Sequence, residues 1–180
     1  IAFEHYYNRG DYPVALKLLE LMLSNRKPPL HPIELNQLAY TRSLALVELD
    51  LGLLEINEAL RYAPDSHQFI DTRAWLLFQM GRLHEALDDA NRAIKLAERV
   101  YEKELQSYQS RVFRWLNGKS SPSSSDGLLT SREAGEPLWT LGALRYHRGK
   151  ILEALGQSEE AEKDWQWLLE HQLPQDDRLR

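Results

Sequence analysis

Gly81-Arg-Leu-His-Glu-Ala86-Leu-Asp-Asp-Ala90-Asn-Arg-Ala93 is the stretch that decides the fold. A glycine is followed five residues later by an alanine, a second small residue comes four after that, and a third comes three later still. Glycine permits the positive φ that ends one helix and turns the chain into the next. The small residues let two helix backbones approach closely, and the i, i+4, i+7 spacing gathers them into one buried stripe. The stretch therefore predicts a helix–turn–helix with the two helices packed antiparallel.

The arrangement recurs at Gly10, Ala15, Leu19 and Met22, and again at Gly156, Ala161, Trp165 and Leu168. A related stretch runs from Gly52 through Ile56 and Ala59 to Pro64. Gly52 and Ala86 hold the same small-residue slot 34 residues apart, as do Ala59 and Ala93. Ala15 to Gly52 is 37 residues, and Ala86 to Ala161 is 75, or 34 plus 41. A helix–turn–helix period of 34 resembles the tetratricopeptide repeat. The marks of that family stand at Ala74, Leu77, Gly81, Ala86, Ala90 and Ala93 in the third unit. In the fourth they stand at Gly149, Leu152, Gly156, Ala161, Trp165 and Leu168. The resemblance covers roughly three quarters of the chain.

It implies an all-α fold of antiparallel helix pairs stacked as a right-handed superhelix. One domain of residues 1–180 is expected, with units at about 1–30, 33–65, 67–117 and 137–174. The helix pairs read as 1–9 with 12–25, 33–49 with 51–62, 67–80 with 83–117, and 137–155 with 158–171. The pattern departs from the family in two places. The second unit lacks a turn glycine, reading Glu48-Leu-Asp50 instead. After Ala93, neither Gly nor Pro interrupts the chain before Gly118, and Ile94, Ala97, Tyr101, Leu105, Tyr108, Val112, Trp115 and Leu116 keep near-helical spacing. That predicts one long helix, or two nearly continuous ones. Residues 118–136, rich in Ser with Gly and Pro, read as a flexible loop, and Pro137 suits the first turn of a new helix.

Composition narrows the function classes. The chain has 180 residues and a net charge of −5, 43% of its residues are hydrophobic, and it contains no cysteine. Disulfide scaffolds, zinc ribbons and thiol nucleophiles are excluded. Mild acidity argues against a nucleic-acid partner. No stretch approaches the ~20 apolar residues of a membrane span. The chain begins at Ile1 rather than Met, so it reads as a fragment of a longer protein whose signal or anchor lies elsewhere. A soluble domain is expected, with the cytoplasm slightly favoured.

The sequence carries no GxGxxG, GxSxG or HExxH. Asn117-Gly-Lys119-Ser120 has the end of a phosphate-binding loop, but Phe113 stands where its first glycine belongs. No two of the six histidines fall at i, i+4 on one helix, and the acidic pairs lie on polar helix faces. No enzyme activity, cofactor or metal is expected. Among the tryptophans, Trp165 is expected in the core and Trp167 at an exposed end. Trp75 is read two ways, as core or as facing the concave side.

In arrays that the chain resembles, the first helix of each pair lines a concave groove that binds peptides or helices of other proteins. The resemblance makes Asn36, Tyr40 and Arg42 groove candidates in the second unit, and Asp71, Trp75, Phe78 and Gln79 in the third. In the fourth it points to Tyr146, His147 and Lys150. Chaperone-binding members clamp a C-terminal carboxylate with Lys and Asn at two fixed positions of a repeat. Those positions hold Asp71 and Trp75 in the third unit, and Tyr146 and Lys150 in the fourth, so no chaperone-tail binding is expected. The reading is a scaffold for an unknown protein or peptide partner. The alternative is a structural or oligomerisation module, a homodimer through the long helix 83–117 or the C-terminal helix.

Overall fold

A computed structural model describes residues 2–117 and 131–173. Eight helices and no strand occur among them. They are α1 (Ala2–Asn8), α2 (Tyr12–Leu23), α3 (Pro32–Ala45), α4 (Leu49–Tyr62), α5 (His67–Gln79), α6 (Leu83–Leu116), α7 (Ser131–Ala154) and α8 (Ser158–Glu170). Consecutive helices pack as pairs, α1 on α2, α3 on α4, α5 on α6 and α7 on α8, and the pairs stack in chain order. Of the odd-numbered helices, α5 touches both α3 and α7.

Local chemistry sets the ends. Pro32 opens α3 behind a capping box: His31 Nδ1 accepts from the Ile33 N–H at 3.3 Å, and Glu34 accepts from the His31 N–H at 2.9 Å. Gly81 and Gly156 close α5 and α7 with φ of 73° and 74°. The next N–H then reaches back, Arg82 to the Leu77 carbonyl and Gln157 to the Leu152 carbonyl, both at 2.9 Å. The α3–α4 turn does the same work without glycine. Leu46 and Glu48 take positive φ of 54° and 49°, at a cost of about 1–2 kcal/mol each. Arg42 opposes that cost by ion-pairing with the Glu48 side chain.

Small residues fix helix separation. Ala74 faces Ala86 and Ala90 in one cluster with Ile151. In the next repeat the same slots hold Gly149 and Trp165. A Cβ on Gly149 would lie 2.6 Å from the Trp165 ring, so glycine is what admits the indole. Ion pairs repeat with the array. Arg73 on α5 donates to both Asp89 oxygens on α6, at 2.6 and 2.8 Å, and to Asn57 on α4 at 3.1 Å. Arg148 on α7 donates to both Asp164 oxygens on α8, at 2.7 and 2.5 Å, and to Asn91 on α6 at 3.0 Å. Each arginine thus ties its own pair together and holds the pair before it.

One feature decides between two expectations from the sequence, and two differ from it. The stretch after Ala93 continues a single helix, α6, of 34 residues. Its length matches no partner within a single repeat, since α4 has 14 residues and α5 has 13. Second, α7 begins at Ser131, so residues 131–136 are helix rather than loop and Pro137 lies inside it. Pro137 therefore stands in the second turn of α7, where its missing N–H removes the i→i−4 bond to the carbonyl of residue 133. Residues 118–130, with Gly118 to Ser120, lie outside the described residues. Third, Trp167 is half-buried against the main core. Arg145 sits 4.7 Å above its ring and His171 stacks on it at 4.0 Å.

Candidate functional site: the inner face of α3, α5 and α7

The helices α3, α5 and α7 are the first members of their pairs. α5 is walled by α3, α4, α6 and α7, which explains why eight of its thirteen residues are buried, Asp71, Thr72 and Trp75 among them. Trp75 follows Ala74 by one residue, about 100° around the helix. Ala74 faces α6, so Trp75 faces the inner side, where α7 reaches across it.

The resulting node is aromatic and charged. The His147 ring from α7 stacks on the Trp75 indole, centroids 4.3 Å apart and planes inclined at 25°. Phe78 stacks on the other part of that indole at 4.9 Å. Tyr40 from α3 approaches the His147 ring at 6.4 Å. His147 Nδ1 lies 2.9 and 3.0 Å from the two Asp71 oxygens. An ionised carboxylate can only accept, so Nδ1 carries the proton and donates. His147 Nε2 is buried with no hydrogen-bond partner among the described residues, and the same holds for Asn36 Oδ1.

The structure thus brings Asn36, Tyr40, Asp71, Trp75, Phe78 and His147 to one face, but distributes their roles unevenly. Trp75 and His147 are each only 1% exposed. Trp75 is therefore a core residue, as one of the two readings of the sequence had it, and is not exposed in a groove, because the His147 imidazole covers it. Asn36, Tyr40, Phe78, Gln79 and Lys150 are half-buried. Lys150 pairs with Glu153 at 2.9 Å.

Two candidates do not line the face. Arg42 is 3% exposed and donates to Glu20 at 2.7 Å, to Glu55 at 3.0 Å and to Glu48. It joins α2, α3 and α4, because three carboxylates surround a guanidinium that burial alone would disfavour. Burial also raises the Glu55 pKa, with Arg42 opposing. Tyr146 is buried and meets Trp165 edge-on at 5.9 Å, facing α8. Two further side chains were not among the groove candidates. Trp139 on α7 is 48% exposed. His67, at the start of α5, is half-buried rather than solvated. Burial lowers its pKa against the opposing pull of Asp71 and Glu104.

Among the described residues no cluster of three or more His, Asp or Glu is placed to hold a metal ion, and no helix is long and apolar enough to cross a membrane. The described helices pair, stack and repeat their Arg–Asp–Asn ties at the spacing read from the sequence.

The fold is that of a tetratricopeptide-like array.

No family model and no curated protein matches the chain. Solved structures are similar to it, among them two that follow. The crystal structure of MamA is 16% identical, covers 94% of this chain and 94% of its own, and has a TM-score of 0.44. A tetratricopeptide repeat protein from Parabacteroides merdae ATCC 43184 is 17% identical, covers 93% of this chain and 76% of its own, and has a TM-score of 0.43.

Proposed function

We propose that the array is a non-catalytic scaffold that binds a peptide or helix of a partner protein along the inner face of α3, α5 and α7. One observation carries the reading. Three helices from three successive repeats present a rim of half-buried aromatic and polar side chains over a rigid, buried base of Trp75, Asp71 and His147. A preorganised base with an adaptable rim suits recognition of an extended or helical segment. Titration of a ¹⁵N-labelled sample with a random peptide library tests it. Shifts are expected at Tyr40, Phe78, Gln79 and Lys150, and Tyr40→Ala and Phe78→Ala should weaken binding without lowering the melting temperature by more than a few degrees. Shifts confined to the outer helices α2, α4 and α8 would refute the reading. Chaperone tails ending in acidic residues are expected to bind no more tightly than random peptides.

A second reading rests on α6. Its last twenty or so residues run beyond the length of α4 and α5, and Val100, Leu105 and Phe113 are exposed on them, Phe113 at 67%. Surplus apolar surface of this kind favours a structural or self-association role. Sedimentation from micromolar to millimolar concentration separates the two readings. A dimer abolished by Phe113→Glu would favour the second, and a concentration-independent monomer the first.

A further inference from the structure

The junctions between helix pairs share one register. The fourth residue of each second helix is small: Ala15 in α2, Gly52 in α4, Ala86 in α6 and Ala161 in α8. Five residues further on stand Glu20, Asn57, Asn91 and Gln166. Eight residues further on stand Leu23, Leu60, Ile94 and Leu169. Each second helix therefore carries a side-chain acceptor and an aliphatic residue at i, i+3, on one face.

At three junctions the next helix pair occupies that face. α2 packs on α3, α4 on α5 and α6 on α7. Each acceptor takes a hydrogen bond from an arginine of the arriving first helix. Glu20 accepts from Arg42 at 2.7 Å, Asn57 from Arg73 at 3.1 Å and Asn91 from Arg148 at 3.0 Å. The aliphatic residue is covered as well. Leu23 is half-buried. Leu60 and Ile94 are 8% and 3% exposed, in one core with Phe69 of α5 and Leu144 of α7. Phe69 and Leu144 each stand one turn before the arginine of their own helix.

α8 carries the same face, and no described element covers it. Among the described residues α8 packs on α7 alone. Leu169 is 62% exposed in the slot where Leu60 and Ile94 are buried. Gln166 is exposed and donates through Nε2 to Glu170 at 3.1 Å, which leaves its Oε1 as an acceptor. Glu170 also sets a negative charge beside that amide. The end of a repeat array is ordinarily closed by a polar surface; α8 keeps the junction residues instead.

We propose that this face of α8 docks a helix of a partner protein, one that presents an arginine with an apolar residue one turn before it. The arginine donates to Gln166 Oε1 and lies beside the Glu170 carboxylate, and the apolar residue covers Leu169. A planar guanidinium reaches amide and carboxylate together, which a lysine ammonium does less well. A second copy stacked end to end does not supply this pattern, since its first helix, α1, contains no arginine. The site lies on a second helix and not on the first helices that form the inner face.

The probe is a synthetic peptide of residues 137–155, the segment that carries Leu144 and Arg148, added to the ¹⁵N-labelled 180-residue chain. Shifts are expected at Gln166, Leu169 and the Gln166 side-chain amide. The same peptide with Arg148→Gln should bind about tenfold more weakly, as loss of a charged hydrogen bond predicts. In the chain, Leu169→Glu should abolish binding, and Gln166→Leu should erase most of the preference for the arginine peptide. Both side chains are exposed, so neither variant should lower the melting temperature by more than a few degrees. Equal binding of the two peptides, or no shift on α8 at millimolar peptide, would overturn the proposal. Shifts at Asn91 in place of Gln166 would mean that the peptide displaces α7, and would also overturn it. Self-association of the free chain that Leu169→Glu abolishes would give the face to a second copy and overturn the assignment to a partner.

Discussion

The imidazole of His147 is bonded through Nδ1 to the carboxylate of Asp71, 76 residues earlier in the chain, at 2.9 Å. The contact joins the first helices of the last two repeats, α7 and α5, across an insertion that separates them in sequence. It is buried on both sides, and His147 also covers Trp75.

Removing that acceptor is expected to be costly. Asp71→Leu leaves the His147 N–H buried and unpaired, and a buried donor without a partner costs about 1–3 kcal/mol. Urea unfolding should show a loss in that range. The loss should be smaller for Asp71→Asn, whose amide oxygen still accepts. Equal losses for the two variants would mean that the hydrogen bond is not what stabilises the node.

Gly149→Ala tests the notch under Trp165. In an open helix this change gains about 1 kcal/mol of helix propensity. Here the new Cβ would sit 2.6 Å from the indole, and forcing atoms into a packed site costs about 1–3 kcal/mol. Net destabilisation is expected in the native background. With Trp165→Leu in place, the same Gly149→Ala should become neutral or stabilising. A double-mutant cycle by thermal melting gives the sign.

Arg42 should behave as a structural hub. Arg42→Met strands Glu55, which is well buried, together with Glu20 and Glu48. A loss of about 3 kcal/mol is expected from breaking such a pair. Arg42→Met with Glu55→Leu should recover most of it. Peptide binding to the inner face should be unchanged by the double variant once it is folded, and a loss of binding would return Arg42 to the groove.

The stability of the chain should fall with acid in part through His67. Burial holds its folded pKa below the ordinary 6.5. Between those two values the unfolded chain binds more protons than the folded one, so stability rises with pH across that window and is lost as pH falls through it. His67→Gln should flatten the slope of unfolding free energy just below pH 6.5. An unchanged slope would show that His67 does not contribute.

The helices that carry the candidate residues were legible in the repeat spacing, while the candidates themselves followed from the resemblance. Ala74 facing α6 turns Trp75 inward, and the 34-residue register puts Tyr40, Phe78 and Lys150 on first helices. What spacing could not give was depth. Arg42 sits on the same helix as Tyr40, yet it is held by three glutamates, Glu20 of α2, Glu48 of the α3–α4 turn and Glu55 of α4.

The sequence by itself determined that the chain is all-α, where most helices stop, and which small residues meet between them. These are local or nearest-neighbour properties: a glycine able to take positive φ, a capping side chain, and an apolar stripe recurring every three to four residues. Only the tertiary structure decided that Asp71, Trp75 and His147 form one buried node, that Gly149 is matched to Trp165, and that Arg42 is spent on internal carboxylates. The pairings between side chains lie 6 to 76 residues apart. They depend on how whole helices are rotated against one another, and a rotation of one residue changes which side chain is covered and which is left open to a partner.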